Sequence, residues 1–317
     1  MAAFDFIGDV HGEASKLEGL LEKLSYAQDA DGVYRHPTRT AFFVGDLIDR
    51  GKRQIDSVEI VKRMVEGGAA KIVMGNHEFN AIGYATMRED FSDTCRPRKG
   101  PWGPGNTDAH KDFLAAVGVD SDTHRTFIEW FNTMPLWYED DDVCVVHACW
   151  QLAKIEELRA LGYDGTLGEG SIREQAFTEG TPAFLAIERI LKGPEVDISR
   201  FGAFPDKGGK TRTRARYAWW EPRNGSYAEC VNLKPEEIAA LGLPDNEFPP
   251  EFVGGAFGSL TKVVFFGHYW RKGEPVIDNQ HALCVDYSAV NEGEHMVAYR
   301  FTPGELLADS NFVRFPG

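Results

Sequence analysis

Certain residues stand just past short apolar runs and carry side chains that bind cations or grip anions. They are Asp9, His11, Asp46, Asp49, Arg50, Asn76, His77, His147 and His268. Singly, each has a plain structural explanation. An Asp after a strand often caps the next helix, and a lone strand-end His is often a satisfied core group. Five strand ends bearing nitrogen or oxygen donors at the rim of one sheet are not explained by capping alone. The donors are carboxylates, imidazoles and one amide, without a thiolate. Such a set suits Mn²⁺, Zn²⁺ or iron rather than a structural four-cysteine zinc site. Two such cations about 3.5–4 Å apart can clamp the attacking and leaving oxygens of a phosphoryl displacement and lower the pKa of a bridging water. Arg50 adds a planar fork matched to phosphate oxygens. Gly8, Gly45, Gly75 and Gly267 each precede a candidate ligand by one residue, where the backbone must turn sharply.

The elements that position these groups can be read from the pattern. The runs "AAFDFIGD" (2–9), "TAFFVGD" (40–46), "AKIVMGN" (70–76), "DVCVVHA" (142–148) and "TKVVFFGH" (261–268) have the length and branched or aromatic content of buried strands. Between the first three, Leu17, Leu20, Leu21 and Leu24 recur at helical spacing, as do Ile55, Val58, Val61 and Val65. Strand and helix in alternation predict a parallel α/β sheet, with ligands just beyond the strands' carboxyl ends. Further on, "ALCVDYSAV", Asn291-Glu292-Gly293 and "HMVAYRF" read as two strands joined by a turn. Mixed pairing there suggests two packed sheets.

The chain has 317 residues, with 34 basic and 49 acidic side chains and a formal charge of −15. That balance argues against nonspecific nucleic-acid binding or membrane docking as the main role. If the substrate is an anion, something local must reverse the sign, and two cations held by few carboxylates would do so. No apolar run approaches the roughly 18 residues of a membrane span. The N-terminus lacks a basic region followed by an apolar one, so no export signal is expected. Cys95, Cys144, Cys149, Cys230 and Cys284 form no CxxC pair and suit a reduced cytoplasm as buried, inert thiols.

The motifs "GDVHG" (8–12), "GDLIDRG" (45–51) and "GNHE" (75–78), with His147 and "GH" (267–268), resemble the phosphoprotein phosphatase branch of the calcineurin-like metallophosphoesterases, in its bacterial form. The resemblance implies two packed mixed β-sheets flanked by helices, in one domain spanning 1–317 with insertions at about 86–135 and 152–258. It implies that Asp9 and His11 bind a first divalent metal, that Asp46 bridges both, and that Asn76, His147 and His268 complete the second. A hydroxide bridging the metals would attack phosphorus directly. His77 would be the general acid, Asp49 would orient it, and Arg50 would hold the phosphoryl group, while Glu78 would support the loop. Mn²⁺ is the expected metal, with Zn²⁺ or iron as alternatives.

The chain departs from the pattern in places. Ala148 and Cys149 follow His147 where two glycines are common, and Lys52 replaces a usual Pro. Trp270 stands where the wider superfamily often places another His, which favours the phosphatase branch and leaves the first metal fewer protein ligands. Nothing matches the "SAPNY" loop of eukaryotic phosphatases. A second phosphate-binding Arg is expected between His147 and His268. The run "KGGKTRTRAR" (207–216) offers Arg212, Arg214 and Arg216, which alternation would place on one face of a strand. Either Arg216 reaches substrate or the run is a solvated edge strand. Arg96, Arg98 and Lys99 read as a solvated loop. His36, His110, His124, His281 and His295 fit no motif position and read as ordinary.

Two enzymatic readings share the metal floor. One is hydrolysis of phosphomonoesters, on phosphorylated protein or a small phosphate ester. The other is symmetric cleavage of a dinucleoside tetraphosphate, with Trp219-Trp220 or Trp102 as walls for the bases. A catalytically dead binding protein is disfavoured, since no expected ligand or acid is missing.

Overall fold

The computed structural model describes residues 3–205, 211–220, 225–249 and 262–316. Residues 207–210 of the basic run, and 250–261 at the end of the Pro-rich loop and the start of the last apolar run, lie outside the described residues. In chain order, β1 (Ala3–Ile7) leads to α1 (Ala14–Lys23), then to a small ribbon of β2 (Ala27–Gln28) and β3 (Tyr34–Arg35). Next come β4 (Arg39–Phe43), α2 (Gln54–Glu66), β5 (Ala70–Ile72) and α3 (Asn76–Ala85). Three helices, α4 (Gly103–Ala109), α5 (Lys111–Val117) and α6 (Asp122–Phe131), precede β6 (Trp137–Glu139) and β7 (Val143–Val146). There follow α7 (Leu152–Ala160), α8 (Gly170–Phe177) and α9 (Pro182–Lys192), then β8 (Glu195–Asp197), β9 (Phe204–Pro205), β10 (Thr211–Arg212) and β11 (Arg214–Arg216). After α10 (Tyr227–Cys230) and α11 (Pro235–Leu241), the chain closes with β12 (Val263–Phe266), β13 (Ala282–Cys284), β14 (Met296–Phe301) and β15 (Phe312–Phe315).

Among the described residues, one sheet has the order β15-β14-β1-β4-β5 and a second the order β13-β12-β7-β6. Parallel pairing joins β1, β4 and β5 in the first, and β7, β12 and β13 in the second. Strand alternation sorts the apolar side chains into two cores. Phe4, Phe6, Phe42, Val145, Phe265 and Tyr299 belong to a cluster drawn from both sheets, which therefore lies between them. Ile7, Ala41, Phe43, Val146 and Phe266 point the other way, into the cluster shared with the helices. Phe6 and Phe265 stack across the sheets at 3.7 Å between ring centroids. The result is the expected sandwich of two mixed sheets flanked by helices. Among the described residues, no helix is long and apolar enough to cross a membrane.

Three local expectations are corrected. The stretches 282–290 and 295–301 do not form a hairpin: β13 pairs with β12 in one sheet, whereas β14 pairs with β1 in the other. Both strands are buried, β14 inside the first sheet and β13 at the edge of the second, and the intervening segment crosses between sheets. The arginine run is not one strand. Arg212 lies in β10, paired with β9, whereas Arg214 and Arg216 lie in β11, paired with β8. The inner face of α2 is Gln54, Ser57, Val58, Val61 and Met64, and Ile55 turns outward. Gln54 at its start is buried because its amide serves the loop described below.

Truncating the inter-sheet core at Phe265→Ala is expected to cost about 3–5 kcal/mol. Urea unfolding against the wild type measures this. A loss below about 1 kcal/mol would mean that the two sheets do not depend on this stack.

Candidate active site

The residues after β1, β4, β5, β7 and β12 converge because both sheets present the carboxyl ends of their parallel strands to one rim. The loops after β1 and β4 are stitched together. Val10 and His11 donate their N–H groups to the Asp46 carbonyl, Gly12 donates to the Leu47 carbonyl, and Gly51 donates back to the His11 carbonyl. These bonds hold non-glycine residues in left-handed backbone: His11 at φ 46°, Asp46 at 54°, Asp49 at 70° and Arg50 at 76°; His268, in the loop after β12, is left-handed too at 72°. Such positions cost about 1–3 kcal/mol each and persist only where the surroundings over-determine them. The loops after β4 and β5 touch backbone to backbone. A Cβ on Gly75 would lie 2.2 Å from the Asp46 nitrogen, and one on Gly45, at φ 98°, would lie 2.4 Å from the Gly75 nitrogen.

Glu78 locks that contact. Its Oε2 accepts from the N–H groups of Asp46 at 2.8 Å and Gly75 at 3.1 Å, and its Oε1 from Leu47 at 2.8 Å. Burial, and next the Asp46 carboxylate, push its pKa up to about 7. The three N–H groups aimed at it favour the charged form.

Asp46 is the centre. Its Oδ1 accepts from the His77 N–H at the start of α3, at 2.9 Å. Its Oδ2 faces Nε2 of His147 at 3.3 Å, of His11 at 3.6 Å and of His77 at 3.9 Å. His147 donates Nδ1–H to the Val44 carbonyl at 2.7 Å, and His11 donates Nδ1–H to the Ile48 carbonyl at 2.8 Å. Both therefore point Nε2 toward Asp46, the orientation a metal-ligating imidazole takes. Asn76 Oδ1 lies 3.1 Å from His147 Nε2 and 2.8 Å from His268 Nδ1. His268 Nε2 is buried with no partner among the described residues.

The ligand atoms of His11, Asp46 and His77 lie within 4.8 Å of one another, and so do those of Asp46, His147 and His268. Asp46 belongs to both groups. The sequence reading put Asp9 beside His11. Asp9 Oδ2 is 3.9 Å from His11 Nε2, but both Asp9 oxygens accept from the His268 N–H, at 3.3 and 3.2 Å. His77 completes the tighter trio.

The electrostatics describe a cradle short of positive charge. Burial, then Asp286 and Asp46, push Asp9 well above the usual carboxylate range. Burial opposes the charge on Asp46 too, but His147 and His77 outweigh it and hold Asp46 well below that range. Burial and Arg50 lower His11 to about 3, and burial and Arg216 lower His268 well below an ordinary imidazole. Clustered imidazoles, His11 and His268 among them held neutral, beside crowded carboxylates and without thiolate, fit divalent cations.

Above the cradle sits Arg50. Its guanidinium lies 3.1 Å from His11 Nε2 and 3.3 Å from His77 Nε2, and stacks 4.1 Å over the Trp270 ring. His77 donates Nδ1–H to Asp49 Oδ2 at 2.5 Å. Burial opposes ionisation of Asp49, yet hydrogen bonds from His110 and His77 hold its carboxyl well below the usual range. Of the three arginines in the basic run, Arg216 reaches the site, donating to the His268 carbonyl at 2.8 Å, whereas Arg214 is exposed beside Glu195 at 3.4 Å.

Several outer residues differ from expectation. Trp219 and Trp220 are buried against Phe266, and Trp219 donates to the Ala148 carbonyl at 2.8 Å, so they brace the His147 loop instead of lining an open wall. Ala148 and Cys149 donate to the Ile190 carbonyl, packing that loop on α9. Arg98 forks onto Asp120 at 2.7 and 2.9 Å and Arg96 donates to Asn106 at 3.1 Å, so neither is a free solvated charge. His110, read as ordinary, is buried with Nδ1 2.8 Å from Asp49 Oδ2. No motif marks it, because its contact is made across 61 residues of chain.

The calcineurin-like phosphoesterase family matches residues 2–268. The chain belongs to that family. Within it, 75 residues, 23% of this phosphoesterase, are 45% identical to an asymmetrical bis(5'-nucleosyl)-tetraphosphatase PrpE of Halalkalibacterium halodurans, covering 30% of that protein. Over 142 residues, 45% of the chain, it is 32% identical to a symmetrical bis(5'-nucleosyl)-tetraphosphatase of Janthinobacterium sp. (strain Marseille), covering 42% of it. The phosphoesterase thus spans between 30% and 42% of the length of these two relatives. A cold-active protein tyrosine phosphatase shares the fold, with a TM-score of 0.51 at 16% identity, over 99% of this chain and 78% of that one.

Glu78→Gln replaces one accepting oxygen by an amide that meets a buried N–H, at an expected cost of about 1–3 kcal/mol. Thermal and urea unfolding of the metal-free protein measure it. Unchanged stability would mean that the Glu78 bonds do not hold the loops.

Proposed function

We propose that this phosphoesterase hydrolyses phosphate esters with two divalent cations, Mn²⁺ foremost, with Zn²⁺ or iron as alternatives. Asp9, His11 and Asp46 would hold one, and Asp46, Asn76, His147 and His268 the other. The observation that carries the reading is Asp46: one buried carboxylate oxygen faces three imidazole nitrogens and belongs to two overlapping donor groups. When bound, the cations polarise phosphoryl oxygens and make water nucleophilic near neutral pH.

The protein's own groups do the rest. Arg50 stands at the rim with a flat aromatic support, placed to take two phosphoryl oxygens. Asp49 fixes the His77 ring through Nδ1, so that Nε2 is the atom available to protonate a leaving oxygen. Arg216, tied to the His268 carbonyl, is the second arginine offered to substrate.

The substrate class in this reading is a phosphomonoester, on phosphorylated protein or a small ester. A second reading, cleavage of a dinucleoside tetraphosphate, is supported by the names of the relatives and by Trp270, an aromatic face beside the phosphate-gripping Arg50. Cytoplasmic residence is part of the proposal, supported by five buried cysteines that form no CxxC pair.

Metal-reconstituted protein offered a phosphopeptide panel and diadenosine tetraphosphate should release orthophosphate from the peptides. Two ADP per dinucleotide with peptides untouched would transfer the assignment to the second reading. His77→Asn should slow hydrolysis about 10²–10⁴-fold for esters with poor leaving groups and far less for good ones. Equal slowing of all esters would remove the acid role. Arg50→Ala should weaken inhibition by inorganic phosphate, and an unchanged inhibition constant would contradict its role.

A further inference from the structure

We propose that His110 is a positioning residue for the Asp49–His77 pair, contributed by the helical segment 103–117. This inference rests on the phosphoesterase reading and extends it to a residue outside the family motifs. His110 joins α4 to α5 and is 1% exposed. Its Nδ1 lies 2.8 Å from Asp49 Oδ2, the same oxygen that accepts from His77 Nδ1 at 2.5 Å. A carboxylate oxygen accepts, so both imidazoles donate, and Asp49 Oδ2 is gripped from two sides.

The other groups on Asp49 leave this task to His110. Asp49 Oδ1 is buried with no partner among the described residues. Gln54 Oε1 takes the Asp49 N–H at 2.7 Å, which fixes the backbone and not the carboxylate. Without His110, the carboxylate would be anchored by the very imidazole it has to orient. It could then turn to offer either oxygen, and the His77 ring would lose its fixed direction. Two further contacts seat the segment. Asp112, in the first turn of α5, accepts from the Arg50 N–H at 3.2 Å, and Thr107 meets the Tyr84 hydroxyl of α3 at 3.1 Å. The segment thus clamps the left-handed Asp49–Arg50 turn that carries two proposed functional side chains.

The test compares His110→Asn, whose amide N–H occupies the place of Nδ1–H, with His110→Gln, whose amide reaches past it, and His110→Leu, which cannot donate. In metal-free protein, the downfield proton resonance of His77 Nδ1–H reads the hydrogen bond to Asp49 without turnover. It should persist in the Asn variant and broaden or move upfield in the Leu and Gln variants. With the metal-loaded enzyme, Leu and Gln should lower kcat by about tenfold or more on a poor-leaving-group ester, with KM and bound metal unchanged. The Asn variant should recover most of that loss.

An unmoved resonance in the Leu and Gln variants would overturn the proposal, as would equal kcat in all three variants. Loss of bound metal would also overturn it, because Asp49, His77 and His110 are close enough to hold an ion themselves. If the Leu variant does not fold, the contrast between Asn and Gln decides. A wild type that hydrolyses no phosphate ester refutes the activity proposed above, and the resonance still decides whether His110 holds Asp49.

Discussion

The site depends on one buried negative charge, that of Asp46. A carboxylate 1% exposed is strongly disfavoured unless its surroundings compensate. Here the compensation is spread over two strand-end loops: an N–H and the His77 ring at the start of α3, and His147 from the β7 loop. Glu78 closes the arrangement from behind, binding the backbone of the same loop. Cost and compensation are therefore coupled. The fold brings these loops together, and the charge they surround is what makes a cation welcome there.

That coupling also answers how a chain of net charge −15 would handle an anion. Few of its carboxylates enter the cradle, and imidazoles supply many of the donors. Cations held in this way would outweigh the local acids, and Arg50 and Arg216 add positive charge at the rim. The surface charge of the rest of the molecule is screened over a Debye length of about 8 Å at physiological ionic strength, so the local arrangement outweighs it.

Much of this was legible in the residues because the information is local. Each strand end carries its own apolar run and its own donor within a few positions, so β1, β4, β5, β7 and β12 and the donors after them could be read one at a time. Reading failed where partners are chosen over distance. Residues 282–301 look like a hairpin because two strands are separated by a turn-like segment, yet each strand finds a better-buried partner in a different sheet. Trp219 and Trp220 look like an aromatic wall, but whether an indole faces solvent or Phe266 depends on what packs over it. Arg212 and Arg216 share a spacing and not an environment.

By itself, then, the sequence determined the class of chemistry: the order of the strands, the donors at their ends and the glycines that let backbones meet. These are set by side-chain type and by the two-residue and 3.6-residue periods of the chain. Tertiary structure alone decided which donors share a carboxylate, that Trp270 supports Arg50, and that His110 meets Asp49 from across 61 residues of chain. The physical reason is that a hydrogen bond has no sequence signature. It forms wherever packing leaves a buried donor beside a buried acceptor, and that is settled only when the whole chain has folded around them.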